Sequence, residues 1–140
     1  MRKSTQRAVL ALSAGTVVAG STFIASPAMA ASTPIGACGG GNYHEVDRHN
    51  FKKSGKKVAT IYLMYNGKTN CVVTWKTHPN SKYVAAGVQK LGDSKFKWEG
   101  GYYSTYAGPV KRSARGACIT WGGRYDNLAY WTDRWGHCGG

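Results

Sequence analysis

The sequence predicts an all-β protein, a single small domain built as a disulfide-stapled antiparallel sandwich or barrel. Short runs of β-branched and aromatic residues alternate with turn residues rich in Gly and Asn, a pattern typical of such folds. After residue 30, no segment combines helix caps with an apolar period of 3.6 residues. Four cysteines, all beyond residue 30, would add covalent support to a core of modest size.

Residues 1–30 have the composition of a cleavable secretory signal. Arg2, Lys3 and Arg7 precede an uncharged apolar stretch, and the segment closes on the small residues Ala28 and Ala30. Gly, Ser and Thr dilute the apolar run, whereas a membrane span needs about 20 predominantly apolar residues. We therefore expect cleavage after Ala30, an extracellular product and no membrane span after cleavage.

The expected organisation is a signal peptide at 1–30, a glycine-rich segment at 31–42 and a compact β domain at 43–140. Residues 1–30 hold three of the 19 basic residues and none of the six acidic ones, so the remainder carries a net charge of +10. A surface this positive favours polyanions. On charge alone the expected partners are anionic cell-wall polymers, nucleic acid or anionic membranes; the alternative is that the charge only maintains solubility.

The four cysteines are expected to form two disulfides, because an exported domain meets an oxidising compartment. None belongs to a C-x-x-C pair, which argues against zinc and thioredoxin-like sites. Of the three pairings, Cys38–Cys71 and Cys118–Cys138 are favoured because each joins neighbours in the chain, although the sequence leaves the pairing open. Each such bond would stabilise the domain by roughly 3–4 kcal/mol in the chain-entropy model.

A hairpin is the clearest predicted element. Two β-branched and aromatic runs, 58–65 and 71–77, flank Asn66-Gly67, a pair that tolerates the positive φ of a type I′ turn. On the second arm, alternation predicts that one face points to the core and the other to solvent. The face expected in the core holds Cys71, Val73 and Trp75, and the opposite face holds Val72, Thr74 and Lys76.

The remaining elements are weaker. Pro109 is expected at a sheet edge or in a loop, because proline cannot donate to a central ladder. The 31–42 segment is expected to be extended or mobile, and 124–140 is too rich in turn residues for a helix. Further strands are predicted at 43–48, at 82–90 with Val84, Ala86 and Val88 inward, and at 117–121 closed by Gly122-Gly123, with a basic loop at 50–57.

One segment gathers residue types used in catalysis: His44, Glu45, Arg48 and His49. Zinc binding by a metalloprotease motif needs histidines four apart on a helix, and these are five apart, so no metal or cofactor is expected. A secreted basic ribonuclease or toxin would combine Glu45, either histidine and Arg48 to move protons and hold phosphate. There is no G-x-S-x-G elbow, P-loop or dinucleotide fingerprint, so no catalytic residue is assigned.

Aromatic residues are abundant after residue 30, with five Trp, nine Tyr and two Phe. Most are expected in the core, since Leu and Ile are scarce; the rest would form a face that stacks on sugars or bases. The candidate binding residues are Trp98, Tyr102, Tyr103, Tyr106 and Trp131, together with Lys52, Lys53, Lys56 and Lys57.

Several stretches resemble the spore-associated protein A family, which comprises small secreted actinobacterial proteins. The similar stretches are YHEVDRHNF at 43–51, the hairpin at 59–76, YYSTYAGPVK at 102–111, ACITWGG at 117–123 and the terminal HCGG. The resemblance implies a location on spores and the cell exterior, which adds anionic spore-coat polymers to the expected partners, and it brings no catalytic residues with it.

The sequence therefore predicts a secreted, non-enzymatic protein of the cell or spore surface, retained by basic and aromatic contacts to wall polymers. The alternatives are the secreted ribonuclease or toxin and a carbohydrate-binding module.

Overall fold

Two four-stranded antiparallel sheets face each other in the computed structural model, which describes residues 31–139; the predicted signal at 1–30 lies outside this range. The first sheet has the order β1-β2-β3-β6, and the second has the order β5-β4-β7-β8. This arrangement confirms the predicted all-β sandwich with two disulfides. The elements are α1 (Pro34–Ala37), β1 (His44–Lys53), β2 (Lys56–Tyr65), β3 (Thr69–Lys76), β4 (Val84–Lys90), β5 (Lys97–Gly101), β6 (Tyr106–Ser113), β7 (Ile119–Tyr125) and β8 (Leu128–Trp131).

The main core lies between the sheets, where alternate residues of each strand point inward. Val84, Ala86 and Val88 of β4 are fully buried there, as predicted, and pack in one cluster with Ile61 and Trp121. Burying a side chain the size of valine or isoleucine contributes about 1.5–3 kcal/mol relative to leaving it exposed. The alternation in β4 thus orients its other face, with Ala85 and Gly87, to the outside of the second sheet.

The face prediction for β3 was wrong. Val72 and Thr74 point between the sheets, while Cys71 and Val73 lie on the outer face of the first sheet. Both faces are buried, because the chain before β1 covers the outer one as a third layer. Because both faces of β3 are covered, the hydrophobicity of its side chains does not show which face points between the sheets.

The N-terminal segment is not extended as expected but contains the helical turn α1. Thr33 caps this turn by accepting a hydrogen bond from the Gly36 N–H at 2.9 Å, and Pro34 occupies the first helical turn, where its missing N–H does no harm. The turn delivers Cys38 to Cys71 of β3. The second disulfide joins Cys118 to Cys138, so both favoured pairings are confirmed.

The predicted basic loop at 50–57 is also wrong, because these residues form the ends of β1 and β2. Lys52 pairs with Lys57 and Lys53 with Lys56 across a two-residue turn. The turn residues Ser54 and Gly55 have φ values of 51° and 79°, which suit the twist of a tight hairpin. We call residues 52–57 the lysine hairpin.

Gly122 and Gly123 do not close a strand as predicted but lie in the middle of β7, between β4 and β8. A Cβ on Gly123 would overlap Thr74 Oγ1 of the opposite sheet, so glycine is required for this close approach. The space is used by a hydrogen bond between the sheets, in which Thr74 Oγ1 donates to Ala85 O at 2.7 Å. Pro109 lies in β6 at the edge of the first sheet, as predicted.

We expect Gly123→Ala to destabilise the domain by roughly 1–3 kcal/mol, the usual range for an added group in a packed interior. The new methyl would have to displace Thr74 or the Ala85 carbonyl, which form the link between the sheets. Chemical denaturation measures the change. Gly136→Ala is the matched control, since its Cβ would meet nothing within 4 Å, and equal losses in both variants would contradict the expectation.

Asp93 and Arg112 form a second link between the sheets, and it should depend on pH. The guanidinium donates to both carboxylate oxygens, at 2.8 and 2.5 Å. These hydrogen bonds, reinforced by one from the Lys90 N–H, lower the pKa of Asp93 from 3.8 to about 2. Because the folded pKa lies below the unfolded one, this contribution is complete above about pH 5 and is lost as the pH falls toward 2.

We therefore expect Asp93→Asn to lower the Tm by a constant amount above about pH 5 and to match the wild type near pH 2. Thermal unfolding monitored by circular dichroism between these values is the measurement. The exposed Asp133 supplies the control Asp133→Asn, whose Tm difference should stay near zero throughout. A Tm difference for Asp93→Asn that persists unchanged at pH 2 would show that the ion pair is not its cause.

Candidate functional site

The outer face of the second sheet carries a row of four residues in register, one from each strand. Trp98 of β5 pairs with Gly87 of β4, Gly87 with Gly122 of β7, and Gly122 with Trp131 of β8. Trp98 is 57% exposed and Trp131 is 43% exposed. The row therefore places two indoles on the outer strands and two glycines on the central strands.

Aromatic rings lie directly on the two glycines. A Cβ on Gly87 would overlap Cε1 of Phe96, and one on Gly122 would overlap Cε3 of Trp131. Phe96 and Trp131 also meet edge to face, with their centroids 5.0 Å apart. Because neither glycine has a side chain, the rings can lie against the backbone of the sheet and line one side of a groove.

The groove runs beside these rings and has a volume of about 560 Å³. Its floor includes Ala85 of β4 and Ala129 of β8, which pair with Arg124 of β7 from either side. We call it the aromatic groove. Its principal lining residues are Tyr83, Phe96, Trp98, Arg124 and Trp131.

Arg124 is held in place at the groove by two contacts. Its Nε donates to the backbone oxygen of Asp126 at 2.8 Å, and its guanidinium carbon lies 5.5 Å from the centre of the Tyr83 ring. The Asp126 carboxylate pairs instead with Lys53 at 2.8 Å and with Lys82 at 3.8 Å. Arg124 is thus oriented and exposed, and within residues 31–139 it forms no ion pair.

The lysine hairpin reaches the same end of the sandwich through Lys53. The hydrogen bond from Lys53, ahead of the nearby positive charges, lowers the pKa of Asp126 below its usual value. A second depression of about 460 Å³ joins the aromatic groove there, sharing Tyr83 and Arg124 and adding Lys82 and Tyr102. Basic residues of both sheets therefore meet at one end of the groove.

The predicted aromatic set is only partly brought together. Tyr102 is 77% exposed and contacts Tyr83 edge to face. Tyr103 turns away, since its hydroxyl donates to Glu99 at 3.0 Å, a bond that raises the pKa of Tyr103. Tyr106 lies on the other sheet, stacked on Trp75 at 4.5 Å. Trp98, Tyr102 and Trp131 thus share one region, whereas Tyr103 and Tyr106 do not belong to the aromatic groove.

The residues considered for ribonuclease chemistry do not converge. Arg48 donates from Nε and Nη2 to the two carboxylate oxygens of Glu45, at 2.5 and 2.7 Å, so the two charges neutralise each other. His49 stacks on Tyr130 with the ring centroids 3.7 Å apart, and burial there lowers the pKa of His49. His44 is exposed and lies near the backbone oxygen of Asn42.

Sequence reasoning did not identify Tyr83, Phe96 or Arg124 as part of this site. One feature of the sequence could have indicated the groove. The residues of β4 that alternate with the inward valines, Ala85 and Gly87, are small. Small side chains in a central strand often mark close approach by another group. Which rings approach them depends on the pairing register, which the sequence did not supply.

No group of three or more His, Cys, Asp or Glu side chains in residues 31–139 could hold a metal ion. No helix in that range is both long enough and apolar enough to span a bilayer.

The fold and this surface define a small, basic, disulfide-linked β-sandwich protein with an exposed aromatic groove. The chain is 38% identical over 131 residues to Spore-associated protein A of Streptomyces coelicolor, an alignment that covers 91% of this chain and 82% of the relative. The chain belongs to the spore-associated protein A family, which confirms the resemblance seen in its sequence. No family model matches the chain, and no solved structure matches it.

Proposed function

We propose that this protein is exported with loss of residues 1–30 and is retained on the cell or spore exterior by non-covalent contacts to anionic wall polymers. The signal-like N-terminus and the net charge of +10 beyond it support export and attraction to polyanions. The name of the Streptomyces coelicolor relative associates that protein with spores, which supports the same location here.

The observation that carries this proposal is how little of the positive charge is neutralised. Four of the six acidic residues, Glu45, Asp47, Asp93 and Asp126, already pair with basic side chains. Within the described part of the chain, Lys52, Lys56 and Lys57 have no ion-pair partner, and all three are exposed at a hairpin. A projecting group of free lysines can approach a polyanion without first breaking internal salt bridges.

We expect the lysine hairpin to dominate electrostatic retention. Changing Lys52, Lys53, Lys56 and Lys57 to Gln should release the protein from spores or isolated cell walls at lower NaCl than the wild type requires. A basic residue beside an anionic lipid surface contributes about 1 kcal/mol, so losing a comparable contribution at all four positions would weaken binding by about a thousandfold. Co-sedimentation across a salt series measures the change.

The matched control removes the same number of charges elsewhere, by changing the exposed Lys68, Lys95, Arg115 and Arg134 to Gln. This control should be released at a salt concentration much closer to that of the wild type. Equal behaviour of the two quadruple variants would mean that only net charge matters. Wild-type protein that stays bound at molar salt would contradict electrostatic retention altogether. At that ionic strength the Debye length is about 3 Å, so the attraction between exposed charges is almost completely screened.

We further infer a non-enzymatic role, supported by the mutual neutralisation of Glu45 and Arg48 and by the stacking of His49 on Tyr130. General acid–base catalysis needs the two groups within reach of one substrate position, and these side chains are engaged elsewhere. Purified protein incubated with RNA should therefore leave it intact. RNA cleavage that disappears in Arg48→Ala would establish the ribonuclease alternative instead.

A further inference from the structure

We propose that the aromatic groove is a glycan-binding site for a chain of several sugar units bearing an anionic group, carboxylate or phosphate. In this arrangement the sugar rings stack on Trp98 and Trp131, and the anionic group pairs with Arg124. The inference rests on the proposed function and deepens it, because it names the chemistry of the polymer and the surface that selects it.

The exposure of the two tryptophans is the first support. Indoles are large apolar groups that a small domain ordinarily uses to fill its core, as Trp121 does here at 2% exposure. Trp98 and Trp131 instead present their rings to solvent on the same face of one sheet. Exposed apolar patches rimmed by polar residues mark interaction sites, and the flat C–H faces of pyranose rings complement such aromatic surfaces.

The two glycines beneath the rings are the second support. Glycine in the interior of a strand is destabilising by roughly 0.5–1 kcal/mol relative to alanine, because it loses more conformational freedom on folding. Gly87 and Gly122 nevertheless occupy neighbouring positions of the two central strands. A Cβ on Gly87 would overlap Phe96, and a Cβ on Gly122 would overlap both the Tyr130 carbonyl oxygen and the Trp131 ring. These glycines therefore let the rings lie against the central strands, and Gly122 also admits the close approach of the β8 backbone.

The length of the site indicates an oligomeric ligand. Trp98 and Trp131 lie on the first and last strands of the sheet, three strand spacings apart, or roughly 14 Å between strand axes. A chain of several sugar units that crosses the strands can contact both rings. The groove volume of about 560 Å³ lies within the range of sites that enclose a ligand of this size.

Arg124 supplies the preference for an anion. Its guanidinium is oriented by the Asp126 carbonyl and the Tyr83 ring, and its charge is not used in a salt bridge within residues 31–139. A planar guanidinium held in this way binds carboxylate or phosphate through two parallel hydrogen bonds. Lys82 borders the adjoining depression and adds positive charge.

The test uses four soluble probes of equal length: a neutral β-1,4-linked glucose hexamer, a hexamer of uronic acids, a hexamer of sugars joined by phosphodiesters, and a glycerol phosphate hexamer without sugar rings. Binding to the signal-free protein, residues 31–140, is followed by tryptophan fluorescence and calorimetry at moderate salt. The anionic sugar probes should bind best, the neutral hexamer more weakly and the ring-free polymer least. The two anionic sugar probes show whether the site prefers carboxylate or phosphate.

Variants assign the binding to the groove. Trp98→Ala and Trp131→Ala should each weaken binding of the sugar probes by about tenfold or more, in line with the loss of one stacking ring. Trp135→Ala is the matched control, because Trp135 is 42% exposed but lies outside the aromatic groove, and it should bind like the wild type. Arg124→Gln should reduce binding of the anionic sugars to the level of the neutral hexamer and leave the neutral hexamer unaffected.

Trp131 packs on Gly122, so near-ultraviolet circular dichroism must show that its variant is folded. Trp98, more exposed and on an outer strand, is the second and safer variant. The proposal is overturned if both alanine variants bind the sugars as the wild type does, or if the ring-free polymer binds as tightly as the anionic sugars.

Failure of this inference can be separated from failure of the proposed retention. Wild-type protein that binds spores in a salt-sensitive way but binds none of the sugar probes would overturn the glycan site and leave electrostatic retention standing. If, in addition, the Trp98 and Trp131 variants were released from spores, the groove would hold a protein partner instead. Sugar binding by a protein that does not attach to spores or walls would overturn the retention and support the site.

Discussion

Gly122 and Gly123 leave the centre of β7 without a side chain on either face, and groups from both sides of the second sheet pack into this space. On the inner face, Gly123 leaves room for Thr74 of the opposite sheet to reach the Ala85 carbonyl. On the outer face, Gly122 lets Trp131 lie against the strand. One dipeptide therefore sets both the close packing of the two sheets and the flatness of the outer aromatic surface, so stability and the candidate site share a structural cause.

Charge and aromatic surface occupy adjoining regions and act over different distances. The lysine hairpin projects from the first sheet, where its charge acts over about a Debye length, and Lys53 ties it to Asp126 beside the groove. The groove residues act only on contact. A polymer attracted by the hairpin would thus meet the rings and Arg124 at the nearest surface. This division would explain how a small basic domain distinguishes a sugar-based polyanion from other anions.

Parts of the candidate site were visible in the sequence and others were not. Trp98 and Trp131 belong to aromatic-rich stretches and were therefore candidate binding residues, and the lysine pairs are evident in the sequence. Tyr106 was grouped with Trp98 because the two are close in sequence, but Tyr106 lies in β6, which belongs to the other sheet. Arg124 gave no signal, because its importance comes from lying beside Tyr83 and between Ala85 and Ala129.

The all-β class and the inward face of β4 could be predicted from the sequence, because period-two alternation is a local property. Closeness in the chain only favoured one of the three disulfide pairings, and the folded chain shows that this pairing is formed. Which face of β3 meets the other sheet became clear only from the folded chain, because the disulfide-linked N-terminal segment buries the opposite face as well. The folded chain likewise shows that two glycines and two tryptophans form one row across four strands. Such a row depends on the register between strands distant in sequence, which no local pattern encodes.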